Sequence, residues 1–361
     1  MKTQQLYKLI ILLLIPAITF AGDEGKGKYT KNKMINKVFT VNSDATLKIN
    51  NSYGNLDIAT WNENRIEIQV SITTNGNDEE KVQKKLDEIT VKFSNSPEWV
   101  AAETIFNKNK SKSWWSWSKN NNVNMEINYL VKMPVTNAVI LDNDYGNINL
   151  DKLEGVAQIS CDYGKITTKE LMADNNSISF DYTNNSYFEY IKSGKIHADY
   201  SGYTVSKTED LDISADYTKS KIEVAENIKY SCDYGGITIE KVNNVVGNGD
   251  YLTTRIGDVY KNISIKADYG SLKIDKLHAS AGNVDINSDY VGIKIGIDPA
   301  YSFDFEIDLE YGSLSDTDGF QYNKKRIDSG DKYYLGYHGK QNSGNLIQIS
   351  SDYGSVTFYN N

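Results

Sequence analysis

"SCDYG" occurs twice in this chain, at Ser160–Gly164 and again at Ser231–Gly235, and the two copies hold the only cysteines, Cys161 and Cys232. Reading outward from them shows why the pentapeptide recurs. Asp-Tyr appears at 144–145, 162–163, 181–182, 199–200, 216–217, 233–234, 250–251, 268–269, 289–290 and 352–353, with Glu310-Tyr311 as a near match. From Tyr145 to Tyr311 the tyrosines are spaced 18, 19, 18, 17, 17, 17, 18, 21 and 21 residues, and Tyr353 follows after 42. A spacing of 42 reads as two repeats, one of them degenerate.

Each copy carries the same local pattern. An apolar residue usually stands three positions before the acidic one, as in Leu141, Ile159, Ile178, Ile196, Ile213, Ile265 and Ile349. The position directly before it is mostly small: Asn143, Cys161, Ala198, Ala215, Cys232, Gly249, Ala267, Ser288 and Ser351. After the turn, apolar residues alternate again, as in Ile148/Leu150, Ile237/Ile239 and Val356/Phe358. Alternation with period two predicts strands with one buried face. The following glycines, Gly146, Gly164, Gly235, Gly270, Gly312 and Gly354, are expected to supply a positive φ at a tight corner.

A unit this short cannot bury its own apolar face, so neighbouring units must stack. The sequence therefore predicts an all-β fold, a parallel β-helix (solenoid) of about 18-residue coils. Cys161 and Cys232 then lie four coils apart, roughly 19 Å at the strand spacing, beyond the reach of a disulfide. They are read as small buried residues in a column shared with Ala, Ser and Gly. Carboxylates stacked about 4.8 Å apart repel. Each is expected to be held by backbone N–H groups at its own corner, the alternative being a ladder of calcium ions; no metal and no cofactor is expected. The tyrosines Tyr145, Tyr163, Tyr200, Tyr217, Tyr234, Tyr269, Tyr290 and Tyr353 are read as structural repeat residues that stack along the axis. A surface stripe for a glycan or a partner is the other reading.

The N-terminus fixes the compartment. "MKTQQLYKLIILLLIPAITFAGDEG" has Lys2 and Lys8, then the apolar run Leu9–Ile15, and ends in Thr19-Phe20-Ala21, which is the pattern of a signal peptide over 1–21. No cysteine follows to carry a lipid, and no stretch is long enough for a membrane helix. Without Lys2 and Lys8 the net charge of −9 becomes −11. An acidic chain without a dense basic tract argues against nucleic acid.

Residues 22–134 read as an N-terminal β-rich capping region, followed by the repeat domain 135–361. "LKINNSYGNLDI" (Leu47–Ile58) matches "VILDNDYGNINL" (Val139–Leu150), so the repeat register is expected to begin near residue 45, depart, and resume near 135. One short helix is predicted at 78–89, with Asp78 as N-cap and Val82, Leu86 and Ile89 on one face. "NKNKSKSWWSWSKNNN" (Asn107–Asn122) sets Trp114, Trp115 and Trp117 on a polar, basic tip. These three form the candidate binding surface, either an aromatic platform for sugar rings or a partner, or packing against the rest of the fold.

The signal peptide, the Asp-Tyr-Gly units, "DEEKVQKKLDEITVKF" and "SWWSWS" together resemble one family, the exported β-strand-repeat proteins of Bacteroidota labelled adhesin domain or auto-transporter adhesin. The resemblance spans essentially the whole mature chain and implies a β-helical envelope or surface protein. The chain departs from a true autotransporter: it closes on "SSDYGSVTFYNN" without a translocating barrel or sorting tail, which leaves the periplasm open.

The leading expectation is a non-catalytic, adhesin-like binding or structural protein, meeting a protein or glycan at the cell envelope, whether periplasmic, outer-membrane-associated or on the surface. A periplasmic accessory linked to envelope stress is the second reading. A polysaccharide-active β-helix enzyme is the third, and would centre on Arg255 with Asp250 and Asp258 nearby in sequence. With three histidines and two distant cysteines, no nucleophilic triad or metal cluster stands out.

Overall fold

A computed structural model describes residues 27–107 and 123–361. The fold is all-β, with one helix among the described residues. Most strands run parallel, and each pairs with the strand one repeat away. Asp144, Asp162, Asp181, Asp199, Asp216 and Asp233 succeed one another in register. The series continues from Asp250 through Asp268 and Asp289. The two cysteines occupy one column in the order Cys161, Phe180, Ala198, Ala215, Cys232, with three residues between them. Both are free and buried.

Each repeat folds as one strand entering the Asp-Tyr corner and one leaving it. The entering strand Ala157–Asp162 buries Ala157, Ile159 and Cys161, and the leaving strand Ile166–Leu171 buries Ile166, Thr168 and Leu171. The two inward rows meet in a core that runs the length of the stack. Volume is balanced between neighbours within a column. Phe180 is flanked by Cys161 and Ala198, whose small side chains leave room for its ring. Gly247 stands beside Tyr230, and a Cβ on Gly247 would overlap that ring. Isoleucine is the usual occupant of that column, so Tyr230 and Gly247 form a compensated pair.

One expectation about the corner is corrected. The positive φ belongs to the tyrosine, at 51–64° for all twelve tyrosines from Tyr53 to Tyr353 that occupy the corner, and not to the glycine after it. Gly146, Gly164, Gly235, Gly270, Gly312 and Gly354 serve close approach instead. A Cβ on Gly164 would overlap the carbonyl oxygen of Gly146, and one on Gly146 that of Gly54. Where Thr183, Ser201 and Thr218 fill the slot, hydroxyls bridge the repeats: Thr183 N donates to Ser201 Oγ and Ser201 N to Thr218 Oγ1, each at 3.1 Å.

The order at the C-terminal end is also corrected. The 42-residue gap holds no degenerate repeat. The last strands, Leu346–Asp352 and Ser355–Asn360, insert between the repeat of Tyr290 and that of Tyr311. Beyond Phe303–Glu310 the pairing turns antiparallel, to Asp331–His338 and then Phe320–Ile327. These strands cover the open edge that parallel stacking would otherwise leave.

The other end is closed in the same way. Thr46–Ser52 pairs in parallel with Ala138–Asp144 at the predicted match, Leu47 opposite Val139 and Asn51 opposite Asn143. Beyond it lie the antiparallel pair Trp99–Phe106 and Ile89–Ser96 on one side, and Val123–Pro134, Arg65–Gly76 and Tyr29–Thr40 on the other. The helix Glu79–Glu88 is capped by Asp78, whose side chain accepts from Lys81 N at 3.2 Å, and it buries Val82 and Leu86. The core ends here on a polar cluster: Thr104 Oγ1 donates to Asn51 Oδ1 at 2.8 Å, and Asn51 Nδ2 donates to Asn143 Oδ1 at 3.0 Å.

Candidate functional site

The corner tyrosines form one continuous ladder. In spatial order they are Tyr53, Tyr145, Tyr163, Tyr182, Tyr200, Tyr217, Tyr234, Tyr251, Tyr269, Tyr290, Tyr353 and Tyr311. Adjacent ring centroids lie 4.8–5.2 Å apart with planes within 12° of parallel. Apart from Tyr53, which packs against the core, the rings are about half exposed, 52% at Tyr163 and 51% at Tyr217. Eleven steps at the strand spacing make a stripe roughly 50 Å long.

Two opposing energies set this column. A left-handed backbone costs a non-glycine residue roughly 1–2 kcal/mol. Each interior ring stacks on two others, and such contacts contribute about 0.5–1.5 kcal/mol apiece. Each contact is shared by two rings, so the twelve strained tyrosines gain about one contact apiece, an energy of the same order as the strain. The ladder's ends are covered as well: Phe106 meets Tyr53 edge-on at 6.0 Å, and Gly330 packs against the Tyr311 ring.

Ring faces are thus spent on one another. What the stripe offers to solvent is ring edges and a row of phenolic hydroxyls, none hydrogen-bonded among the described residues. Burial and the flanking tyrosines and aspartates push the phenols of Tyr163, Tyr234, Tyr269 and Tyr353 upward.

A carboxylate line runs beside the stripe, one residue earlier in each repeat. The bonding expected of these aspartates is corrected: Oδ1 accepts from the backbone of the neighbouring repeat and not at its own corner. Asp181 N donates to Asp162 Oδ1 at 3.1 Å, Asp216 N to Asp199 Oδ1 at 3.1 Å, and Asp250 N to Asp233 Oδ1 at 2.9 Å. The tyrosine N–H points the opposite way along the stack, with Tyr163 N donating to Asp181 O of the following repeat at 3.1 Å. Partial burial and then the neighbouring carboxylates raise the carboxyls of Asp144, Asp250 and Asp289 above the ordinary range.

Sequence reasoning missed a second ladder at the opposite corner. Asn227 Nδ2 donates to Asp210 Oδ1 at 2.7 Å, and Asn244 Nδ2 to Asn227 Oδ1 at 2.8 Å. Farther along, Asn283 N donates to Asn262 Oδ1 at 2.9 Å, and Leu346 N to Asn283 Oδ1 at 3.0 Å. The signal was present: an asparagine stands six residues before the aspartate of the Asp-Tyr pair at Asn227, Asn244, Asn262 and Asn283.

Trp114, Trp115 and Trp117 lie outside the described residues. Arg255 does not meet Asp250 or Asp258; its Nη2 pairs with Asp275 Oδ2 at 2.6 Å, and Lys273 Nζ reaches the same carboxylate at 2.8 Å. Those two cations hold the Asp275 carboxyl below its usual range against the opposing effect of burial. Burial pushes both cysteine thiols up to about 12.

No protein-family profile and no curated protein sequence matches the chain. Solved structures do. A "putative adhesin" from Parabacteroides merdae is 10% identical, with a TM-score of 0.33, over 92% of this chain and 98% of that one. A "putative adhesin" from Parabacteroides distasonis is 11% identical, with a TM-score of 0.29, over 91% and 97%. A "putative cell adhesion protein" from Clostridium sporogenes is 11% identical, with a TM-score of 0.20, over 92% and 100%. Scores of this size carry no argument about function. These three structures bear an adhesin or cell-adhesion label like that of the family the repeats resemble.

Proposed function

We propose that the chain is an exported, non-catalytic parallel β-solenoid of the cell envelope, adhesin-like in that it holds a protein or glycan partner along its length. In this reading 22–134 is a capping region and 135–361 the repeat domain. The leader-like Met1–Ala21 supports export.

One observation carries the proposal: the exposed side chains recur at every repeat, so their chemistry forms a line and not a point. Catalysis requires different groups converging on one bond. A row of like groups instead suits many weak contacts with an extended partner, whose affinity comes from their number. Because ring faces are already stacked, such a partner would meet hydroxyls and ring edges. Trp114, Trp115 and Trp117, within 22–134 in sequence, are the second candidate contact.

Protease shaving of intact cells tests the placement. Digestion of the chain on intact, unpermeabilised cells supports a surface adhesin. Protection until the outer membrane is permeabilised supports the periplasmic accessory role instead. Binding of the purified chain to isolated envelope glycans and proteins, with and without the Trp114→Ala, Trp115→Ala, Trp117→Ala triple change, tests the contact. Turnover of an anionic polysaccharide that disappears in Arg255→Ala would contradict the non-catalytic reading.

A further inference from the structure

Phenols held in parallel at stacking distance also permit a reaction that the binding role does not require. Each interior ring has two neighbours at 4.8–5.2 Å, its hydroxyl is free among the described residues, and it stands about half exposed to solvent. We propose that the ladder is an oxidative cross-linking site, at which adjacent tyrosines couple to dityrosine and staple neighbouring repeats covalently. The co-reactant is a haem peroxidase with hydrogen peroxide.

The chemistry balances as follows. Each of two tyrosines gives up one electron and its phenolic proton, forming two phenoxyl radicals. Their ortho carbons, one Cε from each ring, join in a new carbon–carbon bond. Each ring then regains aromaticity as its ortho hydrogen moves to the phenolic oxygen. The pair has lost two electrons and two protons, and one hydrogen peroxide takes them up to give two waters.

Geometry makes this coupling intramolecular. A radical on one ring always has a second phenol at stacking distance, whereas two separate chains must bring their acidic lines together to meet. The rings must turn from face-to-face to edge-to-edge, which gives up stacking contacts of about 0.5–1.5 kcal/mol apiece. The ladder also sets which pairs can form. Tyr290 touches Tyr353, 63 residues away, at 4.8 Å, and Tyr353 touches Tyr311 at 5.1 Å, while Tyr290 and Tyr311 are separated by the Tyr353 ring.

The test is oxidation of the folded chain by horseradish peroxidase and hydrogen peroxide, followed by dityrosine fluorescence, denaturing gel mobility and mass mapping of linked peptides. The expected product is monomeric, lighter by two hydrogens per link, and linked between ladder neighbours, including Tyr290 with Tyr353. Tyr217→Phe keeps the ring and its stacking but removes the phenol, so links to Tyr200 and Tyr234 should vanish while the others remain. In urea the Tyr290–Tyr353 link should be lost. Absence of dityrosine in the folded chain, links that ignore ladder order, purely intermolecular products, or a Tyr290–Tyr353 link that survives in urea would each overturn the proposal.

Discussion

Tyr353 lies flat against Tyr290, ring centroids 4.8 Å apart and planes within 3° of parallel, although 63 residues separate them in the chain. Behind the rings, Ser288 Oγ donates to Ser351 Oγ at 3.0 Å in the buried column. The final strands are therefore an interior repeat with neighbours on both sides. Phe358 is fully buried on the leaving strand and touches Phe320 of the terminal antiparallel strands at 5.0 Å. Phe358→Ala should cost about 3–5 kcal/mol, read as a lower midpoint in urea unfolding. A change below about 1 kcal/mol would mean that the C-terminal strands lie outside the core.

Ladder position should govern the cost of removing a tyrosine. Tyr217→Ala deletes contacts at 4.8 and 5.0 Å and leaves a residue with φ of 52°. Two stacking contacts imply a loss of roughly 1–3 kcal/mol. Tyr217→Gly loses the same contacts but relieves the left-handed backbone, so it should be less damaging than alanine by about 1 kcal/mol. Equal effects for the two would contradict the assignment of strain to the tyrosine.

The glycine after the tyrosine behaves differently, because its constraint is space. Gly164→Ala would press a methyl group onto the Gly146 carbonyl. The parallel strands must part locally to admit it, and overpacking of this kind costs about 1–3 kcal/mol or more. A neutral Gly164→Ala, measured by thermal unfolding, would refute the close approach.

Asp233 separates charge from hydrogen bonding. It accepts from Asp250 N at 2.9 Å and stands between the Asp216 and Asp250 carboxylates. Asp233→Asn keeps the acceptor and removes a repelling charge, so stability at pH 7 should hold or rise. Asp233→Ala loses the bond and should cost about 1 kcal/mol. The pH dependence carries the same sign. Because the carboxyls of Asp144, Asp250 and Asp289 are raised in the folded chain, their contribution is greatest below the ordinary carboxylate range and is lost as pH rises through the raised values. Added salt at pH 7 should recover part of it by screening.

The cysteines give an alkaline counterpart. Both thiols are pushed from 9.0 up to about 12 by burial, so folding opposes their ionisation. Their contribution is present below pH 9 and is lost as pH rises from 9 toward 12. A thiol reagent should label neither cysteine in the folded chain and both in urea. Rapid labelling of the native protein would contradict their burial.

Much of this architecture could be read from the sequence because each repeat states its own needs locally. The small residues before Asp, the alternation after Gly, and the capping of the helix by Asp78 all follow from short-range sterics and burial. What could not be read was of two kinds. The left-handed residue was assigned to glycine on intrinsic preference, whereas stacking from neighbouring repeats holds tyrosine there. The spatial order was assigned from chain order, yet a strand of this pattern can pair with any other. Only the antiparallel strand Asp331–His338, which occupies one edge of Phe303–Glu310, leaves the other edge open to Leu346–Asp352. Of the candidate site, the tyrosine stripe was legible as a period, and the asparagine ladder was overlooked though its spacing was equally plain.

Spin-label distances along the entering strands test the stacking most directly. Ser160 is followed in register by Ser179, His197, Ser214, Ser231, Asn248, Lys266 and Asn287. Labels on Ser160 paired with Ser214, Asn248 or Asn287 span three, five and seven steps of that series. With the native cysteines replaced by alanine, double electron–electron resonance should give separations near 14, 24 and 34 Å, rising by about 4.8 Å per repeat. Separations that do not grow with the number of repeats would contradict the stack and everything argued from it.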